Sequence, residues 1–299
     1  MRKVGIGLLG MVWVALWIGS RTTEVSAKQE PTKAQAALGV KVTKDVEYGR
    51  ASGESLRLDL SLPAVVGQKL RPGIVFVHGG GWVGGDKVDF ATLAQEMAGR
   101  GYVAVSINYR LAPQHPYPAN IDDVQRAVRW LRKHATEYHL DPARIGSLGA
   151  SAGGHLASIL GVMDTRDPAA VNAAVSSRVN CVVDYFGRMD LRIEPTGTGF
   201  TDYRQRYIGK TKDEAPELYA AASPITYVDS KTVPFLIVQG LRDPQVQPVQ
   251  SKTMIEALDK AGIESSALFI SGAKHGFGGE DAKLAWETAR AFLDRHLHP

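Results

Sequence analysis

A serine flanked by small residues follows a short strand-like run at residues 145–148. Residues 149–153 read Gly-Ala-Ser-Ala-Gly and precede a stretch with helical character. A serine on a sharp turn between a strand and a helix exposes its hydroxyl for attack on a carbonyl carbon, and such a turn admits only small neighbours. The helix that follows directs its first N–H groups towards the same space. The sequence therefore predicts that Ser151 is a nucleophile.

Three consecutive glycines follow another apolar run. Residues 78–82 read His-Gly-Gly-Gly-Trp and come directly after residues 73–77. Glycine lets the backbone approach a substrate carbonyl without a Cβ in the way. We expect the N–H groups of Gly79 and Gly80, together with that of Ala152, to form an oxyanion hole for a tetrahedral intermediate. A flexible glycine turn is the alternative interpretation.

A nucleophilic serine needs a base and a carboxylate. The base accepts the hydroxyl proton, and the carboxylate holds the imidazole in the correct tautomer. Asp243 comes shortly after the apolar residues 234–238, and His275 shortly after the predicted strand at 266–270. Both follow the serine in the chain order acid, then histidine. The sequence therefore predicts a triad of Ser151, Asp243 and His275.

Other histidines and carboxylates fit these roles less well. His155 lies one helical turn after the serine and is predicted to be a buried structural group. His115 precedes the serine in a proline-rich loop, which is the wrong side for the base. Asp86 is predicted to cap a helix, and Asp190 lies in an irregular segment; both remain rival carboxylates. The sequence has no metal-ligand spacing, so neither a metal nor a cofactor is predicted.

The elements that must position these residues change character along the chain. Residues 42–48 and 56–62 alternate apolar and polar side chains, which is typical of an antiparallel opening pair. Later strands are short continuous apolar runs, as expected for parallel strands covered on both faces. These runs lie at residues 74–77, 103–107 and 234–238. The order of strands and helices predicts an α/β fold with a mainly parallel central sheet flanked by helices.

Helical periodicity is clearest from Asn120 to about residue 134 or 138, where two acidic residues occupy the first turn. Further helices are predicted at residues 90–98, 151–162, 249–261 and 282–296. Residues 188–229 are polar and rich in tyrosine, without strand periodicity. This segment is predicted to be an insertion over the sheet edge.

The first 27 residues have the features of a secretory signal peptide. Two basic residues precede an apolar run at 4–18, and small residues lead up to Ala27. The alternative is an uncleaved anchor, but about 15 apolar residues fall short of the ~20 that span a bilayer. We therefore expect a secreted or periplasmic protein with no membrane span after cleavage. Residues 28–41 would be a linker, and residues 42–299 one domain.

Composition excludes several other classes. The chain is 44% hydrophobic and 22% charged, as in ordinary globular proteins. About half of the formal net charge of +4 lies in the first 27 residues, and the basic residues of the remaining chain are scattered among acidic ones, so no nucleic-acid partner is predicted. Cys181 is the only cysteine and can form no intrachain disulfide. Oligomeric state is not predicted.

Taken together, the motifs resemble those of the α/β-hydrolase esterase and lipase group, from about residue 42 to the C-terminus. That group includes hormone-sensitive-lipase-like enzymes and BD-FAE-type enzymes, which are feruloyl or acetylxylan esterase-like. Besides residues 78–82 and 149–153, the shared pieces are at residues 85–87, 108–111, 141–145 and 151–157. Residues 28–41 are too short for the helical cap of the hormone-sensitive-lipase-like enzymes, so the BD-FAE type is the closer resemblance.

Two departures from the family pattern occur near the acid. The acid loop often begins with His-Gly, where this chain has Gln239 and Gly240, and the usual Val-Pro is Val-Gln-Pro at residues 246–248. The resemblance implies a cofactor-independent carboxylester hydrolase acting on a small-molecule or polysaccharide-linked ester. The alternatives are an amidase or peptidase of the same fold, such as an arylformamidase-like enzyme, and a non-catalytic binding protein on this scaffold.

Overall fold

The computed structural model describes residues 39–65, 67, 69–195 and 202–298. The predicted signal peptide at 1–27 and residues 28–38 of the predicted linker lie outside the described residues. Within the described ranges, no helix is both long and apolar enough to cross a lipid bilayer.

Eight strands form one sheet within the part of the chain that is described, in the order β1-β2-β4-β3-β5-β6-β7-β8. The strands are β1 (Val40–Ala51), β2 (Glu54–Pro63), β3 (Arg71–Val77), β4 (Val103–Ile107), β5 (Leu140–Ala150), β6 (Cys181–Tyr185), β7 (Phe235–Gly240) and β8 (Ser265–Ile270). β1 and β2 pair antiparallel, as the alternating pattern predicted, and β2 also runs antiparallel to β4. The pairs from β4 through β3 to β8 are parallel. The predicted mainly parallel α/β sheet is therefore confirmed.

Helices cover both faces of this sheet. They are α1 (Ala91–Gly99), α2 (Ala119–Lys133), α3 (Ala135–Tyr138), α4 (Ala152–Val162), α5 (Arg204–Ile208), α6 (Pro216–Ala221), α7 (Val249–Lys260) and α8 (Gly279–Leu297). Successive side chains of β3 point to opposite faces. Val75 belongs to the core that includes Leu156 of α4, whereas Phe76 belongs to the core that includes Leu293 of α8. Burial on both faces explains why the parallel strands are continuous apolar runs.

The segment between β6 and β7 contains α5, α6 and a short 3-10 helix at Pro224–Tyr227, and no strand among its described residues. It packs against the glycine loop through Tyr207, whose ring stacks on that of Trp82 with centroids 4.5 Å apart. Tyr203 also packs closely on this loop. A Cβ on Gly81 would lie 2.5 Å from Cδ2 of the Tyr203 ring, closer than van der Waals contact allows. The predicted insertion thus lies beside the loop that follows β3.

The residues that directly follow β4 hold the glycine loop after β3 in place. Tyr109 donates its hydroxyl hydrogen to the carbonyl oxygen of His78 at 3.0 Å. The Arg110 guanidinium binds the buried carboxylate of Asp123 in α2 through two hydrogen bonds of 2.8 Å. A bidentate arginine–carboxylate pair of this kind is both strong and directional. Residues 108–111 therefore join β4, α2 and the glycine loop.

Candidate active site

Ser151 lies at the sharp turn between β5 and α4. Its φ is +55°, an unusual value for a residue with a side chain. The turn is held by the Ser151 N–H, which donates to the carbonyl oxygen of Tyr185 at 2.8 Å. A Cβ on Gly149 would clash with the Gly153 carbonyl, and one on Gly153 would clash with the Val77 carbonyl. The small residues on which the sequence prediction depended are thus required by packing.

The hydroxyl, imidazole and carboxylate of the predicted triad lie in one hydrogen-bonded chain. The Ser151 Oγ is 2.9 Å from Nε2 of His275. The opposite ring nitrogen, Nδ1, is 2.7 Å from Oδ2 of Asp243. These distances allow the hydroxyl to donate to Nε2 while Nδ1–H donates to the carboxylate. The three residues are far apart in the chain and meet because β5, β7 and β8 all end at the same edge of the sheet.

The carboxylate of Asp243 is completely buried, and besides His275 three other groups direct N–H donors at it. Its Oδ1 accepts the N–H groups of Gln245 and Val246, at 2.8 and 2.9 Å. The Gln239 side chain donates to the carbonyl oxygens of Gly240 and Val246, and lies 3.4 Å from Oδ2. Its own Oε1 accepts the Ser251 hydroxyl. Gln239, which is a departure from the family pattern, therefore ties the two ends of the acid loop together.

The predicted oxyanion-hole residues lie beside the serine. Because Ala152 is the first residue of α4, its N–H has no acceptor within the helix. The pairing of β3 with its neighbours ends at Val77, so Gly79 and Gly80 lie beyond the ladder. A Cβ on Gly79 would be 3.5 Å from that of Ser151, which shows how closely the loop approaches the turn. Gly80 has a φ of +104°, a conformation that favours glycine.

His155 and the rival carboxylates have other partners. His155 is buried and lies between Trp82 Nε1, at 3.2 Å, and the carbonyl oxygen of Ala222, at 2.7 Å. Burial lowers the pKa of His155 to about 4, so the ring is neutral at pH 7. Asp86 caps the short helix after it by accepting the Val88 N–H. The predictions that His155 is structural and that Asp86 is a cap are confirmed.

Asp190 binds the guanidinium of Arg192 through two hydrogen bonds and does not line the pocket beside the serine. Among the described residues, no cluster of three or more histidine, cysteine, aspartate or glutamate side chains is arranged to hold a metal ion.

A pocket of about 270 Å³ opens beside Ser151 and His275. Besides these residues and the glycine loop, its lining includes Arg188, Tyr203, Gln245 and Val246. Sequence reasoning assigned none of these four to the site. Arg188 follows β6, and the loop after any parallel strand reaches the same sheet edge, so the strand order contained a signal for it. Tyr203 has no comparable signal, because the segment that carries it has no periodicity.

A parallel sheet with a serine turn at its carboxyl edge, and with helices on both faces, defines an α/β-hydrolase. The chain belongs to the BD-FAE family, whose model matches residues 58–258. This result confirms the resemblance drawn from the motifs.

Curated relatives of the chain include two esterases of Mycobacterium tuberculosis. Esterase LipC is 34% identical over 75% of this chain and 57% of its own length. Esterase LipQ is 33% identical over 79% of this chain and 57% of its own length. The chain thus spans a little more than half the length of these relatives.

Solved structures with a similar fold are also esterases. A thermophilic esterase of Thermogutta terrifontis, Est2, is 28% identical with a TM-score of 0.73, and the match covers 86% of this chain and 92% of that one. A truncated carbohydrate esterase from gut microbiota is 26% identical with a TM-score of 0.71, covering 87% and 97%.

Proposed function

We propose that this protein is a serine carboxylester hydrolase, with Ser151 as nucleophile, His275 as general base and acid, and Asp243 as the orienting carboxylate. The observation that carries the proposal is the continuous hydrogen-bonded chain from Ser151 Oγ through the imidazole to a buried carboxylate. The family membership and the names of the relatives support the same reaction class.

In the proposed cycle, His275 Nε2 accepts the hydroxyl proton as Ser151 Oγ attacks the ester carbonyl. The N–H groups of Gly79, Gly80 and Ala152 stabilise the negative oxygen of the tetrahedral intermediate. Nε2 then protonates the departing alcohol and leaves an acyl-enzyme. Water repeats the attack, with the imidazole again taking and returning the proton. Asp243 keeps the imidazole oriented and stabilises its positive charge, and no cofactor is required.

The size of the pocket favours short acyl groups. A volume of about 270 Å³ lies just below the range of pockets that enclose drug-sized ligands. We therefore propose short acyl groups, from acetyl to about the length of succinyl, on a small molecule or a polysaccharide. The carbohydrate esterase among the structural neighbours supports the polysaccharide alternative. We further propose that residues 1–27 direct export. The linker predicted at residues 28–41 must end before Val40, because Val40 and Lys41 already pair with β2, and we propose that the catalytic domain runs from Val40 to residue 299.

A substrate panel tests this reaction class. The full-length protein is assayed with p-nitrophenyl acetate, butyrate and octanoate, with methyl ferulate, and with an aryl formamide. We expect kcat/KM for the acetate to exceed that for the octanoate by at least about tenfold, because an eight-carbon chain would fill most of the pocket that the alcohol also has to enter. Faster turnover of the formamide than of every ester would favour an amidase, and no turnover of any substrate would favour a binding protein.

A further inference from the structure

Arg188 places a positive charge in the wall of the pocket that contains Ser151. It is the third residue after β6, it is only 8% exposed, and it lines the pocket together with Ser151 and His275. Its Nη2 donates to the carbonyl oxygen of Gln245 at 2.6 Å. A guanidinium has five N–H donors, and among the described residues the Gln245 carbonyl is the one acceptor seen for them.

Within the described part of the chain, this charge is not paired with a carboxylate. Among the described residues, none places a carboxylate oxygen within the 4.0 Å of an ion pair with Arg188. Asp202 and Glu194 act on it electrostatically, but both bind Arg204, each at 2.6 Å. Burial lowers the pKa of Arg188, which reflects the loss of water around the cation. A buried cation without a counter-ion is costly, and a bound anion would remove that cost.

The rest of the pocket has matching electrostatics. No aspartate or glutamate is among the described residues that line it. The N-terminus of α4, which carries a partial positive charge, points into the same space beside Ser151. An anionic group in this pocket would therefore meet one full positive charge and a favourable helix dipole. Among the described acidic residues that act on Arg188, Asp243 lies behind the imidazole, and Asp202 and Glu194 are paired with Arg204 and do not line the pocket.

We infer that Arg188 binds a carboxylate of the substrate, so that the preferred esters carry a negative charge close to the ester bond. The inference rests on the proposed esterase function and specifies its substrate class. The charge belongs either to the acyl group or to the alcohol. Arginine suits either case, because its planar guanidinium can donate two parallel hydrogen bonds to a carboxylate.

The test uses matched pairs in which a carboxylate is replaced by its neutral amide. Ethyl hydrogen succinate and ethyl succinamate vary the acyl group, whereas 4-acetoxybenzoate and 4-acetoxybenzamide vary the alcohol. We expect kcat/KM of the full-length protein to favour the carboxylate by at least about tenfold in one of the two pairs. The pair that shows this preference tells whether Arg188 binds the acyl group or the alcohol. Arg188→Met should lower this preference at least tenfold, and Arg188→Lys should retain part of it. Arg192→Met, which removes an exposed arginine of the same segment, should leave the preference within about twofold.

Two results would overturn the inference. One is a carboxylate-to-amide ratio near one in both pairs for the unmodified protein. The other is a ratio that Arg188→Met leaves unchanged while both rates fall together, because that pattern indicates only a structural bond to Gln245. If Arg188→Met does not fold, Arg188→Lys takes its place: the ratio must then fall by at least about threefold, because an ammonium cannot donate two parallel hydrogen bonds to a carboxylate. No turnover of any of the four esters would contradict the esterase function itself, whereas turnover without a preference contradicts only the role of Arg188.

Discussion

Replacing Ser151 with alanine is expected to lower kcat for p-nitrophenyl acetate by roughly 10⁶-fold, the loss typical of a triad nucleophile. The change removes the only atom in the account that forms a covalent bond to the substrate. The glycine N–H groups and the pocket remain, so a small residual rate above that of water is expected. Initial rates, measured beside thermal unfolding of the same preparation, check this result.

Ser158 offers a matched control. It is buried in the same helix, α4, and its hydroxyl has no hydrogen-bond partner among the described residues. Removing an unsatisfied hydroxyl costs little, so Ser158→Ala should keep kcat within about threefold of the unmodified protein. If Ser151→Ala retained more than about one hundredth of the activity, another group would have to be the nucleophile.

Asp243→Asn is expected to lower kcat by about 10⁴-fold. The N–H groups of Gln245 and Val246 donate to Oδ1, so the amide of asparagine would keep its oxygen at that position. Its NH₂ would then face Nδ1 of His275. The imidazole would be held with its proton on Nε2, where it cannot accept the proton of Ser151. Steady-state kinetics, with circular dichroism to verify folding, measure the effect.

The rival carboxylates are the controls for this substitution. Asp86→Asn and Asp190→Asn change carboxylates with other roles. Asp86 caps a short helix, and Asp190 binds Arg192. Both variants should retain kcat within a few-fold of the unmodified protein. If Asp190→Asn lost activity and Asp243→Asn kept nearly all of it, Asp190 and not Asp243 would be the carboxylate that orients the imidazole.

The residues placed beside the serine could be predicted because each was constrained locally. A nucleophile on a sharp turn needs small neighbours, and Gly149 and Gly153 have no space for a Cβ. Parallel strands end at one edge, so an acid and a histidine after later strands had to approach that turn. The continuous apolar runs correctly predicted the parallel strands, because a strand whose two faces are both covered is apolar along its whole length.

The rest of the site depends on tertiary packing that leaves no local pattern. Tyr203 reaches the glycine loop from a segment without periodicity, and its position follows from how Tyr207 stacks on Trp82. Gln239 could be noticed only as a departure from a family motif, because its role depends on carbonyl groups on both sides of the acid loop. Arg188 had a signal in the strand order. The sequence does not show, however, that Asp202 and Glu194 bind Arg204, so that no described carboxylate pairs with Arg188.

Covalent labelling with a fluorophosphonate shows whether Ser151 is an activated nucleophile. A fluorophosphonate reacts with a serine only when an imidazole removes its proton and N–H donors stabilise the developing negative oxygen. We predict that the full-length protein incorporates one phosphonyl group, and that peptide mass spectrometry locates it on Ser151. His275→Ala should prevent the labelling. The absence of label from the folded protein, or its attachment to another serine, would contradict the account.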